Sequence, residues 1–78
     1  MERWLRCQVK QGMFSDERTI LVHRRGNGSV QFFVPESTTR SNDHVRVKVF
    51  RRSDGAWAEL PTPQRDAVPI EETQLDPV

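Results

Sequence analysis

Cysteine is nearly absent from this chain, since Cys7 is the only one among 78 residues. An intrachain disulfide is therefore excluded, and the chain is not one of the small secreted scaffolds that disulfides hold together. Long apolar runs are also missing, which argues against a signal peptide or a membrane-spanning helix. We accordingly expect a cytoplasmic protein with no membrane contact, built as a single domain at this length.

Groups typical of catalytic and metal sites are scarce. His23 and His44 are the only histidines, and neither stands in a spacing such as H-x3-H or C-x-x-C that marks a zinc site. Asp43 and Ser41 lie near His44 in the sequence, but this spacing is more typical of a turn than of a catalytic triad. The glycine-rich stretch at 26–28 is too short for a phosphate-binding loop, and no helix follows it. We therefore predict no enzyme activity, no metal and no cofactor.

Charge is unevenly distributed along the chain, although its formal net charge is only +1. Residues 1–60 hold eleven basic and seven acidic side chains, whereas residues 61–78 hold one basic and four acidic ones. Nearly all the basic side chains are arginine, which binds carboxylate and phosphate through a planar fork and stacks on aromatic rings. A basic body followed by an acidic segment is compatible with a polyanionic partner.

The clearest secondary-structure signal is the alternation from His44 to Arg52. Successive side chains of a strand point to opposite faces, and this segment places three valines on one face. β-branched valine suits a packed, pleated surface, so we assign the valine face to the core. The other face is basic and aromatic and contains Arg46, Lys48, Phe50 and Arg52.

Similar alternation in four other segments predicts four more strands. They are residues 3–10, 18–25, 29–35 and 56–60. Turn sequences follow two of the strands, Gly-Asn-Gly at 26–28 and Asp-Gly at 54–55. Five short strands without a helix predict an all-β fold, either a small five-stranded antiparallel sheet or a partly closed barrel of SH3-like or OB-like architecture. The likeness concerns architecture alone and implies no function.

Hairpin registers follow from keeping apolar side chains on one face. For the first hairpin, a three-residue loop at 26–28 pairs Val22 with Phe32. For the second, a two-residue loop at 54–55 pairs Arg52 with Trp57, because a loop one residue longer would bury an unpaired carboxylate. The first hairpin then directs outward Leu21, His23, Arg25, Gln31 and Phe33.

Two further stretches join the predicted strands. In the loop at 11–17, Met13 and Phe14 are expected to pack onto the core, whereas an exposed Phe14 would mark a contact surface. The stretch at 36–43 is wholly polar and is expected to form a solvated loop.

The last segment, residues 61–78, differs in composition from the body at 1–60. Four prolines punctuate it and its net charge is negative. This composition predicts a flexible tail that is disordered or only loosely docked. Its one apolar cluster, Val68-Pro69-Ile70, is the part expected to dock on a sheet edge.

The outward face of the last two strands is the candidate partner-binding surface. Its residues are Arg46, Lys48, Phe50, Arg52 and Trp57. Exposed aromatics beside arginine are typical of protein interfaces, so we expect a protein-binding, assembly or self-associating module. The same combination also stacks bases and neutralises phosphates, which makes single-stranded RNA the alternative partner. A competing interpretation is that the tail covers this face, with Glu71 and Glu72 beside its cations and with Val68 and Ile70 over its aromatic rings.

Overall fold

The computed structural model describes residues 2–77, and strands make up most of this range. The all-β prediction is confirmed. The strands are β1 (Glu2–Arg6), β2 (Gln8–Gln11), β3 (Glu17–His23), β4 (Ser29–Pro35), β5 (Thr39–Arg40), β6 (His44–Arg52), β7 (Gly55–Glu59) and β8 (Ala67–Pro69). Two single turns of 3-10 helix lie at Glu36–Thr38 and Glu72–Gln74.

The strands form two antiparallel sheets that do not close into a complete barrel. The larger sheet has the order β1-β6-β7-β8, with β5 also paired to β6, and the smaller has the order β2-β3-β4. The predicted strand at 3–10 is divided between the sheets at Cys7, whose side chain is partly buried. One continuous extended segment thus joins both sheets at this end of the molecule.

A single hydrophobic core fills the space between the two sheets. In all five predicted strands, the face that alternation assigns to the interior is the buried one. The core side chains are Leu5, Val9, Ile20, Val22, Val34, Val45, Val47, Ala56, Ala58, Leu60, Val68, Ile70 and Leu75.

The first hairpin has the predicted faces but a different register. Phe32 lies opposite Ile20 instead of Val22. The shift is by two residues, and because side chains alternate with a period of two, it leaves every side chain on its predicted face. The Arg24 N–H donates to the Gly28 carbonyl, so the turn spans residues 25–27 instead of 26–28, and the Arg25 N–H donates outside the hairpin to the Pro69 carbonyl, at 2.8 Å.

The second hairpin is also shifted by two residues. Phe50, rather than Arg52, lies opposite Trp57, and Arg52 lies opposite Gly55. Gly55 has φ = 127°, a conformation that glycine adopts readily and other residues avoid, and it opens β7 instead of forming the turn. The loop is therefore Ser53-Asp54, and the predicted loop at 54–55 is wrong by one residue.

Both stretches expected to be simple loops differ from expectation. Met13 and Phe14 are 80% and 63% exposed, so the prediction that they pack onto the core is wrong. Their turn is held at its base, where the Glu17 N–H donates to the Phe14 carbonyl at 3.1 Å. In the stretch at 36–43, Thr38 is buried and β5 pairs with β6, so part of this polar segment belongs to the larger sheet.

The largest difference from expectation concerns the segment after residue 60. Instead of docking loosely, it supplies β8, which pairs with β7, and three buried side chains, Val68, Ile70 and Leu75. Beyond β8 the chain crosses to β1, where Leu75 forms a bridge with Leu5. Proline is tolerated within β8 because this strand lies at the edge of the sheet.

Arg25 ties the smaller sheet to the end of the larger one. Its guanidinium Nη1 donates to the Ala56 carbonyl at 2.7 Å and to the Ile70 carbonyl at 3.2 Å. Its Nη2 lies 2.9 Å from a carboxylate oxygen of Asp54. One side chain from the β3–β4 loop therefore holds β7, its preceding turn and the final segment together.

We predict that Arg25→Ala lowers the free energy of unfolding by about 2–4 kcal/mol, because hydrogen bonds from a charged donor contribute about 1.5–3 kcal/mol each. Arg24→Ala is the matched control, since Arg24 is an exposed neighbour in the same loop; its effect is expected to stay within about 0.5 kcal/mol. Urea denaturation measures both. Equal midpoints for the two variants would contradict the assigned role of Arg25.

Candidate functional site

Three of the predicted site residues form a compact stack on the outer face of β6 and β7. The rings of Phe50 and Trp57 lie on opposed positions, with centroids 6.4 Å apart and planes inclined by 26°. The Arg52 guanidinium lies 4.4 Å from the Trp57 ring centroid and 5.3 Å from that of Phe50. We call Phe50, Arg52 and Trp57 the arginine–aromatic stack.

The indole of Trp57 is fixed in place by the preceding turn. Its Nε1–H donates to an Asp54 carboxylate oxygen at 2.8 Å, and the other Asp54 oxygen contacts Arg25. The hydrogen bond from Trp57, with the nearby Arg25 charge, lowers the pKa of Asp54. The carboxylate therefore stays ionised near neutral pH and holds the ring in one orientation.

The other two predicted residues, Arg46 and Lys48, lie on the same face and are exposed. Each has an acidic neighbour. Lys48 is flanked in register by Glu2 on β1 and Glu59 on β7, and Arg46 Nε lies 3.6 Å from a Glu2 carboxylate oxygen. The five predicted residues thus share one surface, but its positive charges are interleaved with carboxylates.

A second cation–aromatic contact lies at the other end of the same face. The Arg40 guanidinium lies 4.6 Å from the Trp4 ring centroid, and that of Arg46 lies 6.0 Å from it. Arg40 also contacts an Asp76 carboxylate oxygen at 2.6 Å. Sequence reasoning missed Arg40 because it lies in the two-residue strand β5, which carries no detectable alternation.

The final segment does not cover the arginine–aromatic stack in the way the competing interpretation requires. Val68 and Ile70 face the core, and Glu72 pairs with Arg51 at 2.6 Å. Pro69 of this segment lies opposite Trp57 in the β7–β8 ladder. The outer face of β6 therefore stays accessible, since Lys48 and Arg52 are both exposed.

Cysteine and histidine side chains often take part in catalysis, but the surroundings of Cys7 and His44 are structural. Burial, together with the negative charge of Asp43, raises the pKa of the Cys7 thiol to about 12; a thiol nucleophile needs the opposite shift. His44 lies against two carboxylates, with Nδ1 2.6 Å from Asp43 and Nε2 3.0 Å from Asp76. Contacts with His44 and then Arg40 lower the pKa of Asp76. The backbone N–H of Asp76 donates to the Trp4 carbonyl of β1 at 2.9 Å. Within residues 2–77, no three potential ligand side chains are grouped to hold a metal ion.

A separate groove, which the sequence does not predict, runs along β4. Its volume is about 750 Å³. One wall is the outer part of β4, where Phe33 is 51% exposed, and the other is the segment from Pro61 to Asp66. These walls are about thirty residues apart in the chain, so no local sequence pattern predicts the groove. The outward position of Phe33 was the one available signal.

Comparisons with protein-family models, with curated proteins and with solved structures found no match. In the part of the chain that the structure describes, no helix has the length and apolar character needed to cross a membrane. The class of protein defined by these observations is a small all-β domain of two antiparallel sheets.

Proposed function

We propose that the protein is a non-catalytic protein-binding module and that the outer face of β6 and β7 contacts its partner. The observation that supports this is the preassembled arginine–aromatic stack, held by the bond between Trp57 and Asp54. Tryptophan and arginine are enriched among the residues that dominate binding energy. Side chains already fixed in the free protein lose little conformational freedom on binding.

The charge pattern favours a protein partner over a nucleic acid. Binders of single strands line a groove with positive charge so that it follows the phosphate backbone. On this face Glu2 and Glu59 flank Lys48 on both sides, which interrupts any positive stripe. Mixed charges with a central aromatic patch are instead typical of protein interfaces.

Single-stranded RNA is the second candidate partner, and one observation favours it. Two tryptophans, Trp4 and Trp57, lie on the same face of the larger sheet, each with an arginine over its ring. Aromatic rings beside guanidinium groups are the stacking platforms of single-strand binders. A base would have to displace Arg40 or Arg52 or use the opposite ring face.

We test the proposal by affinity capture from cell lysate, with and without ribonuclease, using the wild-type chain and Arg52→Glu. Lys10→Glu is the matched control, because Lys10 is an exposed residue of the smaller sheet. We expect captured proteins that resist ribonuclease, survive raised salt, remain with Lys10→Glu and are lost with Arg52→Glu. Capture that depends on RNA, with affinity falling steeply as salt rises, would favour the RNA alternative instead.

A further inference from the structure

The smaller sheet has one strand, β4, with a hydrogen-bonding edge open to a ligand. In an antiparallel ladder, opposed residues alternate between pairs that exchange hydrogen bonds and pairs that do not. At one end of the β3–β4 ladder the Arg24 N–H donates to the Gly28 carbonyl at 3.0 Å. At the other end the Glu36 N–H donates to the Asp16 carbonyl at 2.8 Å. Both pairs continue the register of the ladder, so the even-numbered residues of β4 are the ones bonded to β3.

The odd-numbered residues of β4 therefore point their backbone groups away from β3. Ser29, Gln31 and Phe33 each direct an N–H and a C=O to the opposite edge, whereas Pro35 has no N–H and its carbonyl already accepts a hydrogen bond from the Thr38 hydroxyl at 2.6 Å. Among residues 2–77 no strand pairs with this edge. A row of unpaired backbone groups on an exposed edge is a ready template for an added strand.

The groove along β4 provides the space for such a strand. Gln31 and Phe33 line one side, and Pro61 and Pro63 stand on the other. Its volume of about 750 Å³ lies within the range of about 300–1,000 Å³ that is usual for binding sites. Prolines in the opposite wall offer apolar contact with few backbone donors, so an inserted chain would bond to β4 and pack against this wall.

The charges of the lining specify the partner's chemistry. Three carboxylates line the groove, Asp16, Glu17 and Asp66, and its lining residues include no lysine or arginine. Glu17 and Asp66 accept hydrogen bonds from the Met13 N–H and the Thr62 hydroxyl, which hold these two carboxylates in place. The remaining walls are largely apolar. An extended chain that alternates basic and apolar side chains matches both features.

We propose that this groove binds an extended segment of a partner protein, rich in alternating basic and apolar residues, which adds to β4 as a further antiparallel strand. Backbone hydrogen bonds to β4 supply affinity in this mode of recognition, and the side-chain contacts supply specificity. The residues that line the groove include none of the arginine–aromatic stack. This proposal is therefore independent of the function proposed for that stack.

The test is fluorescence anisotropy with a labelled, end-capped peptide of sequence K-V-K-V-K-V-K. We expect saturable binding to the full chain. We also expect no binding of E-V-E-V-E-V-E, and affinity at least about tenfold weaker, or about 1.4 kcal/mol, for a K-V peptide N-methylated at alternate residues. The N-methylated peptide removes donors from one edge of the added strand without altering the protein.

Two protein variants complete the test. Gln31→Pro removes an outward N–H that makes no bond to β3, and Asp16→Lys reverses an exposed lining charge; both are expected to weaken binding. Glu72→Lys is the control for charge, since it lies in an exposed ion pair outside the groove, and it should bind as the wild type does. Equal affinity for the lysine and glutamate peptides, or for the methylated and unmethylated ones, would overturn the proposal. Dimerisation of this chain through β4, with exclusion of the peptide, would also overturn the proposal.

Discussion

Truncation after Thr62 is expected to unfold the protein. The removed segment carries Val68, Ile70 and Leu75, which are at most 7% exposed. Burying an aliphatic side chain of this size contributes about 1.5–3 kcal/mol. Three of them together approach the whole stability of a small domain, which is about 5–15 kcal/mol. The truncation also uncovers one edge of β7 and leaves Arg25 without the Ile70 carbonyl.

Circular dichroism and urea denaturation check this expectation. Ile70→Ala is a milder change in the same segment. We expect it to lower the free energy of unfolding by about 2–5 kcal/mol, because it removes a buried side chain and leaves a cavity. Thr73→Ala in the same segment is the matched control, since Thr73 is exposed and only its backbone carbonyl accepts a bond, from Arg6. A truncated chain with the wild-type spectrum and midpoint would show that the final segment is dispensable.

The faces of the strands were predictable from the sequence because alternation is a local property. Val45 and Val47 are adjacent odd positions whose neighbours are polar, and no long-range information is needed to assign them inward. The register of two paired strands depends also on contacts between residues that are distant in the sequence. The first hairpin register is set by a loop from which Arg25 reaches Pro69, more than forty residues away. Such a contact leaves no trace in the local pattern, so the predicted register differs by two residues although the predicted faces are correct.

The ordered structure of the final segment was not predictable from its composition, because proline and acidic residues normally indicate disorder. Its decisive feature is small, an alternation in which Val68 and Ile70 point inward on either side of Pro69. Proline is compatible with strand structure at an edge, where its missing N–H faces no partner. Docking also required a place for Leu75, which β1 provides through Leu5. This docking position on β1 can be recognised only once the arrangement of the larger sheet is known.

The candidate residues on β6 and β7 converge as predicted because convergence needs only the correct faces. Their detailed geometry differs, since Phe50, not Arg52, lies opposite Trp57. Arg52 instead reaches across both rings. The acidic neighbours Glu2 and Glu59 follow from pairings between distant strands and were not predictable. The sequence therefore predicted that the five candidate residues share one face, and the structure adds the acidic neighbours that are interleaved with their positive charges.

Val47→Asp is expected to unfold the domain, whereas Lys48→Asp is expected to leave it folded. Val47 is 2% exposed in the middle of β6, with β1 and β7 on either side of that strand. The substitution loses about 1.5–3 kcal/mol of apolar burial and adds several kcal/mol for a carboxylate without a partner. The sum exceeds what a domain of this size is expected to tolerate.

The neighbouring position provides the matched control for the same introduced side chain. Lys48 is exposed, so its replacement by Asp needs no desolvation. The new carboxylate would lie between Glu2 and Glu59, and like charges directly opposed in a sheet cost about 0.2–1 kcal/mol per pair. Thermal melting followed by circular dichroism separates the two variants, since Lys48→Asp should retain a cooperative transition a few degrees lower. Loss of the transition in both variants would mean that both faces of β6 are buried, which would leave the arginine–aromatic stack no free surface on which to bind a partner.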